Sequence, residues 1–99
     1  MASSVIKKQY VTGLATVTGV TVAKDNGIAT ATIDVTKSGY TAIGVVKISK
    51  SGTGNGGIVI TAFGIKAGDA NSATVGLLNP TSTDRTISVS VAVLYERSA

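Results

Sequence analysis

The stretch from Arg85 to Tyr95 alternates between apolar and polar residues more regularly than any other part of the chain. Every second position is apolar, and these positions hold Ile87, Val89, Val91, Val93 and Tyr95, whereas Thr86, Ser88, Ser90 and Ala92 stand between them. A two-residue period places the two sets on opposite faces of a β-strand. The stretch therefore predicts a strand with one dry face and one wetter face, and a β-protein around it.

The core of this protein must be built from small aliphatic side chains. The chain has 99 residues, the size of one domain, with one Phe, no Trp and no Cys. Such a core is thin, and no disulfide reinforces it. We therefore expect other copies of the chain to cover part of its apolar surface.

Turn signals divide the remaining sequence into further short, β-branched segments. Asn26-Gly27 is typical of a tight hairpin turn, because such a turn needs two positive-φ positions. We predict an all-β fold, an antiparallel sandwich of Greek-key or jelly-roll-like arrangement with about six or seven strands. Residues 1–12 are expected to form an N-terminal arm or edge strand and residues 13–99 a single sandwich domain. The predicted strands after the arm are Leu14–Ala23, Ile28–Val35, Tyr40–Ser49, Ile58–Ile65, Ser72–Leu78 and Arg85–Tyr95.

Two of these predicted strands, Tyr40–Ser49 and Ile58–Ile65, are apolar on both faces. A small antiparallel protein has only one sheet-on-sheet core, so the second apolar face calls for additional cover. A second copy of the chain is the economical source of that cover. The candidate oligomer contact comprises Ile43, Val45, Val46, Ile48, Ile58, Ile60 and Phe63.

The residue types limit the chemistry open to the chain. With no His and no Cys, the usual transition-metal ligand sets and the Ser-His and Cys-His nucleophiles are missing, and we predict neither catalytic residues nor a cofactor or metal. A glycan-cleaving pair of carboxylates stays open as an alternative, because distant acids can meet in space. The five acids are Asp25, Asp34, Asp69, Asp84 and Glu96, and four of them lie in or beside predicted turns.

The glycine-rich stretch from Ser51 to Gly57 resembles a nucleotide-binding loop only in its spacing. Gly52, Gly54 and Gly57 match G-x-G-x-x-G, yet Ile58 begins a strand where that motif needs a helix. We interpret the stretch as a strand connection. The Asp69-Ala70-Asn71 segment lacks the other ligands of a calcium loop and is interpreted as a turn cap.

Net charge and hydropathy argue against two further classes of partner. The nine basic residues give a net charge of +4 but are spread along the chain, and only three Tyr and one Phe are available for base stacking. We therefore predict no nucleic-acid partner. No stretch approaches the roughly 20 apolar residues of a membrane span, and the N-terminus lacks the apolar run of a signal peptide, so neither membrane insertion nor a secretion signal is predicted.

Several stretches resemble one family of small β-domains. Gly39-Tyr40, Ile43-Gly44, Asn79 with Thr81-Ser82, and Leu94-Tyr95 follow in an order similar to that of a domain in tail-fibre, baseplate and related virion proteins of bacteriophages and prophages. The similarity spans residues 38–95. Pro80, Lys47 and Lys50 depart from the pattern.

This resemblance implies a non-enzymatic virion structural protein, commonly trimeric, in a tail fibre, baseplate or head fibre. Its expected partners are copies of itself, other virion proteins and a host cell-surface glycan. The alternative function is a glycan-binding receptor-recognition module that acts through polar loops. The candidate ligand residues in those loops are Ser51, Thr53, Asn55, Asn79, Thr81 and Ser82.

Overall fold

A computed structural model describes residues 9–98 of the chain as a two-layer β-structure. Within these residues the six strands are β1 (Tyr10–Val22), β2 (Gly27–Asp34), β3 (Tyr40–Ser51), β4 (Val59–Ile65), β5 (Ser72–Asn79) and β6 (Arg85–Arg97), and a 3₁₀ turn lies at Asn55–Gly57. One antiparallel sheet has the order β1-β6-β3 and the other the order β2-β5-β4. The prediction of an all-β sandwich is confirmed at this level.

The central strand of each sheet shows the clearest alternation. In β6, the side chains from Ile87 to Tyr95 on odd positions are 0–4% exposed, and in β5 Ala73, Val75 and Leu77 are equally buried. The intervening residues of both strands are only partly covered. The two dry faces meet between the sheets and form the aliphatic core, as the pattern of Arg85–Tyr95 predicted.

The first strand begins earlier than predicted. β1 runs from Tyr10 to Val22, with a shift of register between Val17 and Val20, and pairs with β6 at the edge of its sheet, so residues 10–12 continue the strand that was predicted to begin at Leu14. Residues 1–8 of the predicted arm or edge strand lie outside the described residues.

The turn after β1 is present, but it does not make the predicted hairpin. β1 pairs with β6 and β2 pairs with β5, so the chain crosses from one sheet to the other at this turn. The turn amides of Asp25 and Asn26 donate to the backbone oxygens of Thr81 and Asn79, each at 2.8 Å. These bonds hold the turn against the loop after β5, and β2 continues beside β5.

The positive-φ positions of this turn are Asp25 and Asn26, with φ of 60° and 66°, and not Asn26 and Gly27. The amide of Gly27 donates to the oxygen of Lys24 at 3.3 Å, which closes a type I′ turn. Gly27 is required for a different reason. A Cβ at this position would lie 2.1 Å from the carbonyl oxygen of Ala23.

Candidate functional surfaces

Three connections gather at one end of the sandwich, which we call the loop end. They are the turn 23–26, the loop 52–58 and the loop 80–84. The register places them together, because Val22 pairs with Arg85, Ser51 with Ser88, and Gly27 with Asn79. These three connections carry polar side chains, and together they form one surface.

Asn79 is a structural residue and not an exposed ligand residue of this surface. It is 0% exposed, and its Nδ2 donates to the oxygens of Val22 and Thr83, each at 2.9 Å. Its Oδ1 accepts the Thr81 amide at 3.0 Å and the Thr81 hydroxyl at 2.6 Å. The side chain thus joins β1, β5 and the loop 80–84, and it has no polar atom left for a ligand.

The side chain of Lys50 fixes the loop 52–58 by hydrogen bonds to its backbone. The Lys50 ammonium donates to the backbone oxygen of Asn55 at 3.0 Å and to that of Ile58. The Asn55 side-chain amide donates to the oxygen of Gly52 at 2.7 Å. Asn55 is therefore engaged within its own loop, and a ligand has to compete for its amide.

The remaining predicted ligand residues differ in accessibility. Ser51, Thr53 and Ser82 are exposed, whereas Thr81 is half-buried and bonded to Asn79. Three hydroxyl side chains are therefore presented at the loop end on a backbone braced by Lys50 and Asn79. This arrangement offers hydrogen bonds to a polar partner, without an aromatic platform among these residues.

The two-sided pattern of β3 has an intrachain cause. The ladder with β6 shifts register between Ala42 and Gly44 and again between Val45 and Lys47, so Ile43 and Val46 are extra residues without a partner in β6. Each extra residue reverses which positions of β3, odd or even, face the core. The consequence is that Val45 and Ile48 lie opposite Val93 and Val91 on the inner face.

The extra residues nevertheless expose apolar surface. Ile43 is 46% exposed and Val46 58% exposed. β4 is an edge strand of the other sheet and lies on the same side of the sandwich as β3. Its Phe63 is 59% exposed, although it pairs with the buried Val75. We call these three residues, with the half-buried Val45, Ile48 and Ile60, the β3/β4 seam.

Ile58 is the exception among the predicted contact residues. It is 2% exposed and belongs to the subunit's own core. The other six predicted residues are half-buried or exposed. Burial of Ile58 leaves it no surface for a second copy of the chain.

A further apolar row was not predicted from the sequence. Ile28, Leu78 and Val59 lie opposite one another across β2, β5 and β4 on the outer face of their sheet, and Ile28 is 80% exposed. Leu14, on the outer face of the other sheet, is 81% exposed. The sequence signal for Leu14 was available, because Leu14 has the parity of Thr12 and Thr16 in β1.

Three of the five acids accept backbone amides in turns, and Asp69 is the turn cap that was predicted. The Asp69 carboxylate accepts the Asn71 amide at 3.0 Å and the Ser72 hydroxyl at 2.9 Å. Asp84 accepts the Lys24 amide at 2.9 Å. Asp34 accepts the hydroxyl and the amide of Thr36, and these two hydrogen bonds lower the pKa of its carboxyl.

The three tyrosines occupy different environments. Tyr95 is 4% exposed, in agreement with its predicted place in the core, and its hydroxyl donates to the oxygen of Val35 at 2.7 Å. Burial raises the pKa of Tyr95, and the charge of Asp34 adds to the effect. Tyr40 is half-buried beneath the Lys37 ammonium, and Tyr10 is more exposed at 53%.

Within residues 9–98 we find no cluster of three or more acidic, His or Cys side chains suited to a metal ion. The same residues contain no helix long and apolar enough to cross a membrane. Comparison with known proteins gave no matching family model, no matching curated protein and no matching solved structure.

Proposed function

We propose that this chain is a non-enzymatic structural protein of a bacteriophage virion, a component of a tail fibre, baseplate or head fibre that contributes to host attachment. In this proposal the chain works as a homo-oligomer, a trimer of jelly-roll-like subunits, with the β3/β4 seam at the subunit contact. The family assignment derives from the sequence resemblance over residues 38–95. The observation that carries the oligomer is the exposed apolar surface of the seam.

The seam combines large apolar side chains with incomplete cover. Ile43, Val46 and Phe63 are each about half exposed or more, and they border the half-buried Val45 and Ile60 of the core. Association through the seam removes this surface from water, which is worth about 25 cal/mol per Å². A closed assembly also covers the free edges of β3 and β4, which otherwise invite uncontrolled pairing.

The positions of the seam and the loops in the subunit support the attachment role. The β3/β4 seam runs along the side of the sandwich, whereas the loops 23–26, 52–58 and 80–84 lie at one end. Subunits associated through their sides can present all their loop ends to the same partner. Weak contacts from several copies then combine into a much higher avidity.

The mass of the protein in solution tests the oligomer. Multi-angle light scattering should give about three times the 9.9 kDa of the single chain. Replacing Val46 and Phe63 together with Ser should convert the assembly to monomers, because both side chains are exposed in the subunit and neither is required for its core.

Leu14→Ser provides the matched control, since Leu14 is also exposed but lies on the outer face of β1. It should leave the mass unchanged. A wild-type monomer at micromolar concentration would refute the oligomer. Dissociation by Leu14→Ser but not by the seam variant would refute the assignment of the contact to the seam.

The second candidate function is recognition of a host glycan through the loop end. The exposed hydroxyls of Ser51, Thr53 and Ser82 favour it, because they project from braced loops at one surface. Wild-type protein should bind host cell walls in a pull-down assay, and the triple change of these residues to Ala should abolish binding without changing the oligomer. Retained binding by that variant would contradict this function.

A further inference from the structure

Two basic side chains, Lys50 and Arg85, face the interior at the loop end. Lys50 lies opposite Val89 in the ladder between β3 and β6, and Val89 is 0% exposed. Arg85 has the inward parity of β6 and precedes the buried Ile87. Both residues are half-buried. The mouth of the sandwich between the two sheets is therefore lined by two positive charges.

The two cations differ in how their donors are satisfied. The Lys50 ammonium reaches two backbone oxygens of the loop 52–58. The Arg85 Nε is buried and has no hydrogen-bond partner, and no ion pair joins Arg85 to a carboxylate within residues 9–98. Buried side-chain donors are nearly always paired, and leaving one unpaired costs more free energy for a charged group than for a neutral group.

The backbone of Gly54 covers the guanidinium. A Cβ at Gly54 would lie 2.6 Å from the Cζ, Nε and Nη1 atoms of Arg85, and Gly54 has a φ of +78°. At position 54 only glycine lets the loop lie this close to the guanidinium of Arg85 without displacing one of them. The loop 52–58 therefore rests directly on Arg85 and is fastened beside it by Lys50.

The acids of the loop end do not neutralise this pair. Asp84 accepts the backbone amide of Lys24, and Asp25 is exposed in its turn. We propose that the mouth of the sandwich binds a small oxyanion group, a carboxylate or a phosphate, with Arg85 as its principal donor and Lys50 as a second positive charge. A guanidinium matches either group through two parallel hydrogen bonds.

This site does not use the glycine spacing of the loop as a nucleotide motif, and it does not depend on the virion role. The bound group supplies hydrogen-bond acceptors to the Arg85 guanidinium, whose Nε has no acceptor within residues 9–98. Arg85 as a whole is only half-buried, so one side of the site is open to solvent at the loop end.

Solution NMR on the intact, ¹⁵N-labelled chain tests the site directly. Titration with inorganic phosphate and, separately, with acetate should shift the Arg85 Nε–H resonance and the amides of Gly54 and Gly56 with a common, saturable dependence. Sodium chloride at matched ionic strength should not reproduce these shifts, because screening alone acts on all exposed charges.

The matched variants are Arg85→Lys and Arg97→Lys, since Arg85 and Arg97 are the only arginines of the chain. Arg97 donates to Gln9 at the opposite end and serves as the control. Arg85→Lys keeps the charge but removes the two-pronged geometry, so the affinity should fall about tenfold or more, whereas Arg97→Lys should bind as the wild type does.

Saturable shifts at the loop end with either oxyanion support the site, and the tighter of the two identifies the class of the natural group. The absence of saturable shifts in the wild-type protein would overturn the proposal, and this readout does not require any variant to fold. Equal affinity in wild type and a folded Arg85→Lys variant would overturn the role of Arg85.

Discussion

Replacing Asn79 with Ala should strongly destabilise the protein, because this side chain connects three segments from a fully buried position. The substitution removes four hydrogen bonds, two donated to Val22 and Thr83 and two accepted from Thr81. At a net value of about 1 kcal/mol each, the four bonds are worth about 4 kcal/mol.

The actual loss should be somewhat smaller than that figure. The Thr81 hydroxyl shares its single hydrogen between Asn79 Oδ1 and the Thr83 oxygen, so in the variant it can donate wholly to Thr83, which lies at 3.0 Å. Val22 is 0% exposed, so its oxygen loses the Asn79 donor at a place that water does not reach. We expect the free energy of unfolding to fall by about 3 kcal/mol, or the melting temperature to fall by roughly 12–24 °C.

Urea denaturation at a fixed protein concentration measures this change, because an oligomer's stability depends on concentration. Asn71→Ala is the control. Asn71 is exposed, and its contacts in the turn before β5 are made by its backbone and not by its side chain. A loss below about 1 kcal/mol for Asn79→Ala would refute the bracing role of this residue.

Two further substitutions test the fold. Gly27→Ala should cost several kcal/mol, because the new Cβ would meet the Ala23 oxygen at 2.1 Å, whereas Gly44→Ala should change the free energy of unfolding by less than about 1 kcal/mol, since nothing lies within 4 Å of its Cβ position. Thermal melts of both variants check this, and similar melting temperatures would contradict it. Tyr95→Phe removes the hydrogen bond to Val35 and should cost about 1 kcal/mol near neutral pH. Because the folded pKa of Tyr95 is raised above its ordinary value of 10.0, its contribution is complete below that pH and is lost as the pH rises through the folded pKa. Denaturation curves from pH 8 to 12 should therefore show a smaller alkaline loss of stability in Tyr95→Phe, and an unchanged alkaline loss would argue against this origin.

The sequence predicted the central strand β6 well, because a strand with neighbours on both sides keeps a strict two-residue alternation. It predicted β3 less well. The extra residues Ile43 and Val46 follow from how β3 pairs with β6, and the sequence contains no local sign of where a strand skips a partner. The run of apolar residues in β3 predicted a strand with two apolar faces. Because the alternation shifts at Ile43 and Val46, part of this run lies on the inner face instead.

The candidate ligand loops were also predictable only in part. The polar residues of Asn79 to Ser82 predicted a loop, and a loop is present from Pro80 onward, directly after β5 ends at Asn79. Which of them point outward was not predictable, because Asn79 and Ser82 are both polar residues in a turn-forming context. Asn79 is buried since the backbone groups of β1 and the loop 80–84 meet at its amide.

By itself, the sequence determined the β class, the aliphatic core and the approximate places of the six strands, because these depend on residue volume and on local alternation. The tertiary structure decided which strands pair, since the turn at Asp25 and Asn26 is compatible with a hairpin and with a crossing between sheets. It also decided that Lys50 and Arg85 face inward at the loop end. Both outcomes depend on contacts between residues distant in sequence, which no local pattern encodes.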